Sequence, residues 1–179
     1  MRKEVGKQIE IPEGVTVHVE GKKVSVEGKK GKLEREFKGK LSIVKKDNFI
    51  EVINKKSTKN DKKMINSTAA HIKNMVHGAS EGYEYKLKAC SAHFPMSLSI
   101  EGKTIIIKNF LGEIKARKAE ILEGVTVKLD KEFITLSSAD KEKAGQSAAN
   151  IEVATHITKR DRRVFQDGIF ITERPGREI

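Results

Sequence analysis

The strongest constraint on this chain is an internal repeat. Residues 19–26 and 100–107 share the same alternation of apolar and polar positions at a constant offset of 81, with a Glu-Gly-Lys turn in both copies. The same offset aligns Gly31 with Gly112 and Leu33 with Ile114, so turn residues and apolar positions return together. Two copies in 179 residues indicate one domain duplicated, because a solenoid would need at least three repeats.

The match continues towards the end of each copy with small changes of offset. Residues 48–52 match 132–136 at an offset of 84, and residues 67–70 match 147–150 at an offset of 80. Insertions in loops explain this drift. We place the boundary near residues 78–82 and expect two domains, at 1–82 and 83–179.

Each copy begins with a periodicity of two and ends with one of 3.6. In the first copy, apolar residues alternate with polar ones, which predicts half-buried strands, at Val15, Val17 and Val19, at Val24 and Val26, at Leu33 and Phe37, at Leu41 and Ile43, and at Ile50 and Val52. Glycines 21, 28 and 31 interrupt the runs where tight turns favour a positive φ, so consecutive hairpins are expected.

The later part of each copy predicts one amphipathic helix. Ile65, Ala69, Ile72 and Val76 form a single apolar stripe from about residue 60, with Gly78 as the expected stop. The second copy repeats the order, with alternation from Tyr83 to Ala89 and a helix through residues 144–155. The predicted class is α+β: two tandem duplicated domains, each an antiparallel β-sheet or folded pair of sheets packed on one α-helix.

The charge of the chain points to a polyanionic partner. Thirty-six Lys and Arg residues against 25 Asp and Glu give a net charge of +11. Five of the 8 arginines fall in the last twenty residues, whereas the first copy relies on lysine. Arginine can grip a phosphate with two hydrogen bonds or stack on a base, so the arginines are the better candidates for specific contact.

Several other functions find no support in the sequence. Cys90 is the only cysteine, which excludes a disulfide framework or a cysteine-rich zinc site within the chain. The five histidines are dispersed without a ligand spacing, and no phosphate-binding loop, HExxH or GxSxG motif occurs. No apolar run approaches the roughly 18 residues of a membrane span. We therefore expect a cytoplasmic protein without catalytic activity, metal, cofactor, small-molecule substrate or membrane association.

The end of the chain departs from the repeat and carries a family resemblance. Residues 158–174 have no counterpart in the first copy and read TKRDRRVFQDGIFITER. The order of Arg160, Arg163, Phe165, Asp167-Gly168, an apolar triplet and Arg174 resembles the carboxy-terminal signature of the large-subunit ribosomal protein L6 family, in its archaeal and eukaryotic wording. One position departs: Val153 stands where the bacterial-type signature has glutamine.

The resemblance covers the whole chain and implies a structural role in the large ribosomal subunit. It implies binding of large-subunit ribosomal RNA near the sarcin-ricin loop, with neighbouring ribosomal proteins and docking translational GTPases close by. The expected RNA-binding residues are Lys159, Arg160, Arg162, Arg163, Arg174 and Arg177, although residues 175–179 also fit a solvated basic tail. Lys29 and Lys30 are secondary candidates, because they occupy the tip of a predicted hairpin.

Three alternatives remain open from the residues alone. The chain could be a free-standing basic nucleic-acid-binding module or RNA chaperone. An enzyme built around Cys90 and His93, or around a buried carboxylate, is the second, although a thiol on an alternating strand is ordinarily an inert core residue. Third, Asp161 or Asp167 could hold an arginine in an intramolecular ion pair, which would make that arginine structural.

Overall fold

The chain divides into two compact units. A computed structural model describes residues 3–39 and 41–179. The first unit ends at Gly82 and the second comprises Tyr83–Ile179.

The first unit contains two three-stranded antiparallel sheets and one helix. The strands are β1 (Lys3–Glu10), β2 (Thr16–Glu20), β3 (Lys23–Gly28), β4 (Gly31–Glu36), β5 (Ser42–Lys46) and β6 (Phe49–Ser57), and the helix is α1 (Lys59–Ser80). One sheet has the order β1-β6-β5 and the other the order β2-β3-β4. Ile50, Ile65 and Ile72 are fully buried, so strands and helix share one core.

The second unit repeats this plan and adds a carboxy-terminal hairpin. Its elements are β7 (Tyr83–Cys90), β8 (Ser97–Glu101), β9 (Thr104–Lys108), a short 3₁₀ turn (Phe110–Gly112), β10 (Arg117–Glu120), β11 (Thr126–Asp130), β12 (Phe133–Ser138), α2 (Lys141–Ala154), β13 (Gly168–Arg174) and β14 (Arg177–Glu178). The sheets have the orders β10-β9-β8 and β11-β12-β7-β13-β14. The predicted α+β class with a folded pair of sheets on one helix in each copy is therefore confirmed.

The buried faces of the two helices correct one alignment made from the sequence. In α1 the buried positions include Ile65, Thr68, Ala69 and Ile72, and in α2 they are Ala144, Ser147, Ala148 and Ile151. These faces superpose at an offset of 79, so the sequence match at 80 was wrong by one residue. The mistake arose because alanine occurs on both the buried and the exposed faces.

Both helices begin at capping residues, and α1 passes its expected stop. The Thr58 hydroxyl accepts from the Asp61 N–H while the Asp61 carboxylate accepts from the Thr58 N–H, which satisfies two end donors reciprocally. Gly78 was predicted to end α1, but it is buried inside the helix. The chain turns instead at Gly82, whose φ of 84° suits glycine.

The strand pairing also differs from the sequence prediction. The alternation gave no sign of β1, because only Val5 and Ile9 are apolar within it. That strand pairs antiparallel with β6 rather than with its neighbour in the chain, and β7 pairs with β12 in the same way. The prediction of consecutive hairpins is correct for β2-β3-β4 and for β5-β6. The first strand of each copy, β1 or β7, instead pairs with a strand far along the chain.

Gly28 has a different role from the one predicted. Gly21 and Gly31 do have positive φ, at 63° and 137°. Gly28 pairs with Gly31 across the β3–β4 turn, and a Cβ added to it would lie 2.5 Å from the Ala79 carbonyl oxygen. This glycine therefore allows the hairpin to approach α1 closely, where the Lys30 N–H donates to Ala79 at 3.0 Å.

Candidate nucleic-acid interface

Most of the predicted RNA-binding residues lie on one loop of the second unit. Residues 155–167 connect α2 to β13, and Lys159, Arg160, Arg162 and Arg163 are all exposed on this loop. Lys159 adopts a φ of 63°, which makes a sharp local bend. We refer to residues 155–167 as the arginine loop. How firmly its ends are held decides whether its side chains keep one arrangement.

Asp167 fixes the carboxy-terminal end of the arginine loop. Its side chain is 1% exposed, and one carboxylate oxygen accepts from the N–H groups of Ala92 and His93 at 2.6 and 3.0 Å. The other oxygen lies 2.6 Å from His93 Nδ1. Burial raises the pKa of Asp167, but the hydrogen bonds from His93 and Ala92 outweigh it and leave the pKa below its usual value. The carboxylate therefore ties the loop to the segment that follows β7.

The amino-terminal end of the loop is held by a hydroxyl and a guanidinium. Thr155 is buried and accepts from the Ile169 N–H at 2.9 Å. Arg117 donates to the carbonyls of Ala154 and His156 at 3.0 and 3.1 Å, which satisfies groups left free at the end of α2. Glu113 orients that guanidinium with two hydrogen bonds of 2.8 and 2.6 Å. Both ends of the arginine loop are thus anchored.

Arg160 is positioned by stacking rather than by an ion pair. Its guanidinium carbon lies 4.9 Å from the centre of the Phe165 ring, and that ring lies 4.9 Å from the His93 ring. The cation is attracted to the aromatic face, and the planar group retains its donors for another partner. Arg160 is therefore held in a defined orientation with its charge available.

Arg163 is paired within the loop, and Arg162 is not. The Arg163 side chain contacts Asp161 at 2.8 to 3.2 Å, and this pair raises the arginine pKa and lowers that of the aspartate. The Arg163 side chain is 90% exposed, so water and salt screen the pair. Within the part of the chain that the structure describes, no ion pair or hydrogen bond engages the Arg162 side chain. Of the two aspartates considered as internal partners, Asp161 holds an arginine whereas Asp167 holds His93.

Arg174 and Arg177 lie on the β13–β14 hairpin, at one edge of the five-stranded sheet. They pair with each other across β13 and β14, and both are exposed. Lys29 and Lys30 are exposed in the first unit, at the tip of the β3–β4 hairpin. The sequence-predicted residues thus occupy one anchored loop, one terminal hairpin and one separate hairpin.

A shallow cleft of about 800 Å³ adjoins the arginine loop. It is lined by both polar and apolar groups, among them Cys90, His156, Arg162 and Phe170. His93 is engaged with Asp167, and no group of three or more His, Cys, Asp or Glu side chains with metal-binding geometry occurs among the described residues. No described helix is long and apolar enough to span a membrane.

Sequence reasoning missed the anchoring role of Arg117 and the partner of Asp167. Arg117 lies in a part of the chain without arginine clustering, so only the fold brings it to the end of α2. Asp167 was noted as a partner for arginine, but nothing in the sequence indicated the segment of Ala92 and His93. Its place beside Gly168 and an apolar triplet was the available signal of a buried position.

Comparison with known proteins agrees with the division into two similar units. The family model described as "Ribosomal protein L6" matches residues 11–82 and again residues 94–168, one match in each unit. The large ribosomal subunit protein uL6 of Methanococcus vannielii is 45% identical over 177 residues, which is 98% of this chain and 97% of that protein. The namesakes from Ignicoccus hospitalis and Methanocella arvoryzae are also 45% identical, over 93% and 97% of this chain and 92% and 99% of their own lengths.

Proposed function

Because this chain belongs to the ribosomal protein L6 family, of the archaeal type, it is a large-subunit ribosomal protein, and we propose that its arginine loop binds large-subunit ribosomal RNA. The relatives are ribosomal structural proteins, a family without enzymatic activity, and they act in the cytoplasmic ribosome. The chain has the same structural role, with ribosomal RNA and ribosomal proteins as its partners.

One observation supports the proposed RNA contact: a loop with three exposed arginines is anchored at both ends by buried or half-buried hydrogen bonds. An unanchored basic tail attracts phosphate but cannot hold its donors in one geometry. A loop fixed by Asp167, Thr155 and Arg117 presents its guanidinium groups in a defined arrangement, which favours selective binding. Arg174 and Arg177 provide a second basic group, at the end of β13 remote from the arginine loop. Lys29 and Lys30 provide a weaker, charge-based contact in the first unit.

The finer location follows from the family resemblance of residues 158–174. We place the contact near the sarcin-ricin loop, beside the region where translational GTPases dock. The basic, aromatic-poor composition supports recognition of RNA shape and phosphate over base stacking, since aromatic residues make up only 5% of the chain. Crosslinking of the arginine loop in intact subunits, followed by mapping of the RNA sites, tests this location directly.

The contact itself is tested by a salt titration of RNA binding. Each phosphate contact releases condensed counterions, so its loss flattens the slope of log affinity against log salt by roughly 0.7 to 0.9. Arg160, Arg162 and Arg163 are changed together to glutamine, which removes the charge, or to lysine, which keeps the charge but removes the planar fork. We expect the glutamine variant to lose affinity and slope. The lysine variant keeps most of the slope but loses discrimination between the correct ribosomal RNA fragment and a scrambled one.

A control of equal charge loss comes from the same unit. Lys128 and Lys131 are exposed on the β11–β12 hairpin, at the edge of the sheet away from β13, and Lys143 is exposed in the first turn of α2, at the opposite end of that helix from the arginine loop. Changing these three to glutamine should leave selectivity intact. Equal slopes and equal selectivity for wild type and both arginine variants, with folding verified by circular dichroism, would show that the loop does not contact RNA.

The competing function, a free-standing nucleic-acid chaperone, differs in where the protein is found. We expect the tagged chain to sediment with large subunits in a magnesium-containing lysate. Recovery only in the free fraction would favour the chaperone.

A further inference from the structure

The two units differ at one edge of their corresponding sheets. In the second unit, β13 pairs with the outer edge of β7, with Gly168 opposite Cys90 and Ile171 opposite Leu87. In the first unit β1 occupies the end of the order β1-β6-β5. Among residues 3–39 and 41–179, no strand pairs with the other edge of β1. The first unit thus leaves open the edge that the second unit covers with its own chain.

The correspondence between β1 and β7 extends to single hydrogen bonds. Ile9 lies opposite Ile50 in the first unit, and Leu87 lies opposite Ile134 in the second. The Ile11 N–H donates to the Asn48 carbonyl at 2.9 Å, and at the matching position the Ala89 N–H donates to Glu132 at 2.7 Å. The two edges therefore present their backbone groups in the same register.

The backbone direction follows from antiparallel geometry. Hydrogen-bonded positions alternate along such a strand. Because Ile11 bonds towards β6, the N–H and C=O groups of Gln8 and Glu10 point away from β6. The matching residues of β7 are Lys86 and Lys88, and their backbone groups point towards β13 in the second unit. An open edge with free backbone groups is a template for another strand.

A cleft accompanies the open edge. It has a volume of about 820 Å³ and lies between β1 and one flank of α1, with Ile9, Ile11, Lys73 and Val76 in its lining. At the helix offset of 79, Lys73 and Val76 correspond to Glu152 and Thr155. Those two residues contact β13 in the second unit, through the N–H groups of Ile171 and Ile169. The part of the cleft beside Gln8 to Ile11 is thus the counterpart of the groove that β13 fills.

The cleft also matches β13 in its apolar character. Ile169 is fully buried and Ile171 packs against the core of the second unit. The corresponding floor in the first unit contains buried Ile9 and Val76, with the partly buried Ile11 beside them. Val76 stands where Thr155 accepts from the Ile169 N–H, so this groove offers an apolar surface there and no acceptor for a backbone N–H.

We propose that the edge of β1 accepts an extended segment of a neighbouring large-subunit protein as an added antiparallel strand. The segment carries aliphatic side chains at two alternating positions, in the places that Ile169 and Ile171 occupy in the second unit. Backbone hydrogen bonds to Gln8 and Glu10 provide affinity, and the aliphatic pair in the cleft provides specificity. This inference rests on the proposed role in the large subunit, because it takes its partner from there.

The test uses the full chain assembled into large subunits. A photoreactive benzoylphenylalanine replaces Glu13, an exposed residue lining the cleft, and a control substitution places the same group at the exposed Glu36 on β4. Sedimentation first establishes that the chain is in the subunit. Failure at that stage contradicts the proposed function itself. In assembled subunits we expect Glu13, but not Glu36, to crosslink to one protein segment with aliphatic residues at alternating positions, identified by mass spectrometry.

Backbone pairing is separated from side-chain contact by two variants of Gln8. Gln8→Ala and Gln8→Pro both lose the weak bond to Glu51, but only proline removes the outward N–H. Loss of one hydrogen bond of about 1 kcal/mol should lower the crosslink yield roughly fivefold in the proline variant and not in the alanine variant. If the proline variant fails to assemble, amide exchange at Gln8 and Glu10 of the unmodified protein decides, since pairing must slow it on assembly. A crosslink to RNA or to a second copy, equal yields in both variants, or unchanged exchange would overturn the proposal.

Discussion

Asp167 ties the carboxy-terminal end of the arginine loop to the segment after β7. It accepts three hydrogen bonds, from the N–H groups of Ala92 and His93 and from the His93 ring, at 2.6, 3.0 and 2.6 Å. Asp167→Ala removes all three acceptor contacts. A buried donor left without a partner costs about 1–3 kcal/mol, and a hydrogen bond to a charged group contributes about 1.5–3 kcal/mol. Because the His93 ring is 35% exposed and can be rehydrated, we expect a loss of about 3–4 kcal/mol in the free energy of unfolding of the second unit.

Asp167→Asn divides this effect. The amide oxygen can still accept from the two backbone N–H groups, but the charged contact with His93 is lost. We expect a smaller loss of about 1.5–3 kcal/mol, the range for one hydrogen bond to a charged group. Asp161→Asn provides the matched control, because that carboxylate lies on the same loop but is exposed and pairs with the exposed Arg163. Its effect on stability should be close to nil.

The assay exploits the distribution of tyrosine. The chain has no tryptophan, and its two tyrosines, Tyr83 and Tyr85, both belong to the second unit. Urea unfolding followed by tyrosine fluorescence therefore reports on that unit. With a slope of roughly 1–3 kcal/mol per molar urea, the alanine variant should unfold at a midpoint lower by about 1–4 M.

The RNA affinity of the Asp167 variants is then measured as a function of salt concentration. At urea-free conditions where the variants remain folded, Asp167→Asn should keep the salt slope, since the arginines retain their charge. Its selectivity for the correct RNA fragment should fall, since the loop loses its fixed end. Equal stability of the Asp167 and Asp161 variants, or unchanged selectivity in Asp167→Ala, would refute the conclusion that this carboxylate positions the loop.

Three further predictions address the anchors and the packing. Lowering the pH should weaken the second unit, because the depressed pKa of Asp167 means that its ionised carboxylate stabilises the fold. This stabilisation is complete above the ordinary aspartate pKa of about 3.9 and is lost as the pH falls through the lower pKa of the folded state. The tyrosine-monitored urea midpoint of Asp167→Asn should therefore change less with pH over that range. Arg117→Lys should cost about 1–3 kcal/mol by the same assay, since lysine cannot reproduce a forked contact with one carboxylate and two carbonyls. Gly28→Ala should destabilise the first unit by about 1–3 kcal/mol, because its Cβ would lie 2.5 Å from the Ala79 carbonyl oxygen, and circular dichroism should show this loss while the tyrosine transition stays in place.

The order of elements was predictable because it depends on local spacing. Alternation over two residues predicted β2 to β6, and the stripe through Ile65 and Ile72 predicted α1, since each pattern reflects which face of an element is buried. The repeat predicted the second copy in the same way. Strand β1 escaped prediction because it contains few apolar residues and is stabilised by pairing with β6, at the far end of the strand series.

The sequence by itself also determined which residues could bind RNA, because charge and the planar guanidinium are properties of the side chain alone. Only the tertiary structure decided which of them are held and by what. Asp161 engages Arg163 across two residues, a contact that local sequence permits. Asp167 meets Ala92 and His93 from 75 and 74 residues away, and Arg117 reaches the end of α2 from 37 and 39 residues away. Such contacts depend on the packing of whole elements, so no local pattern encodes them.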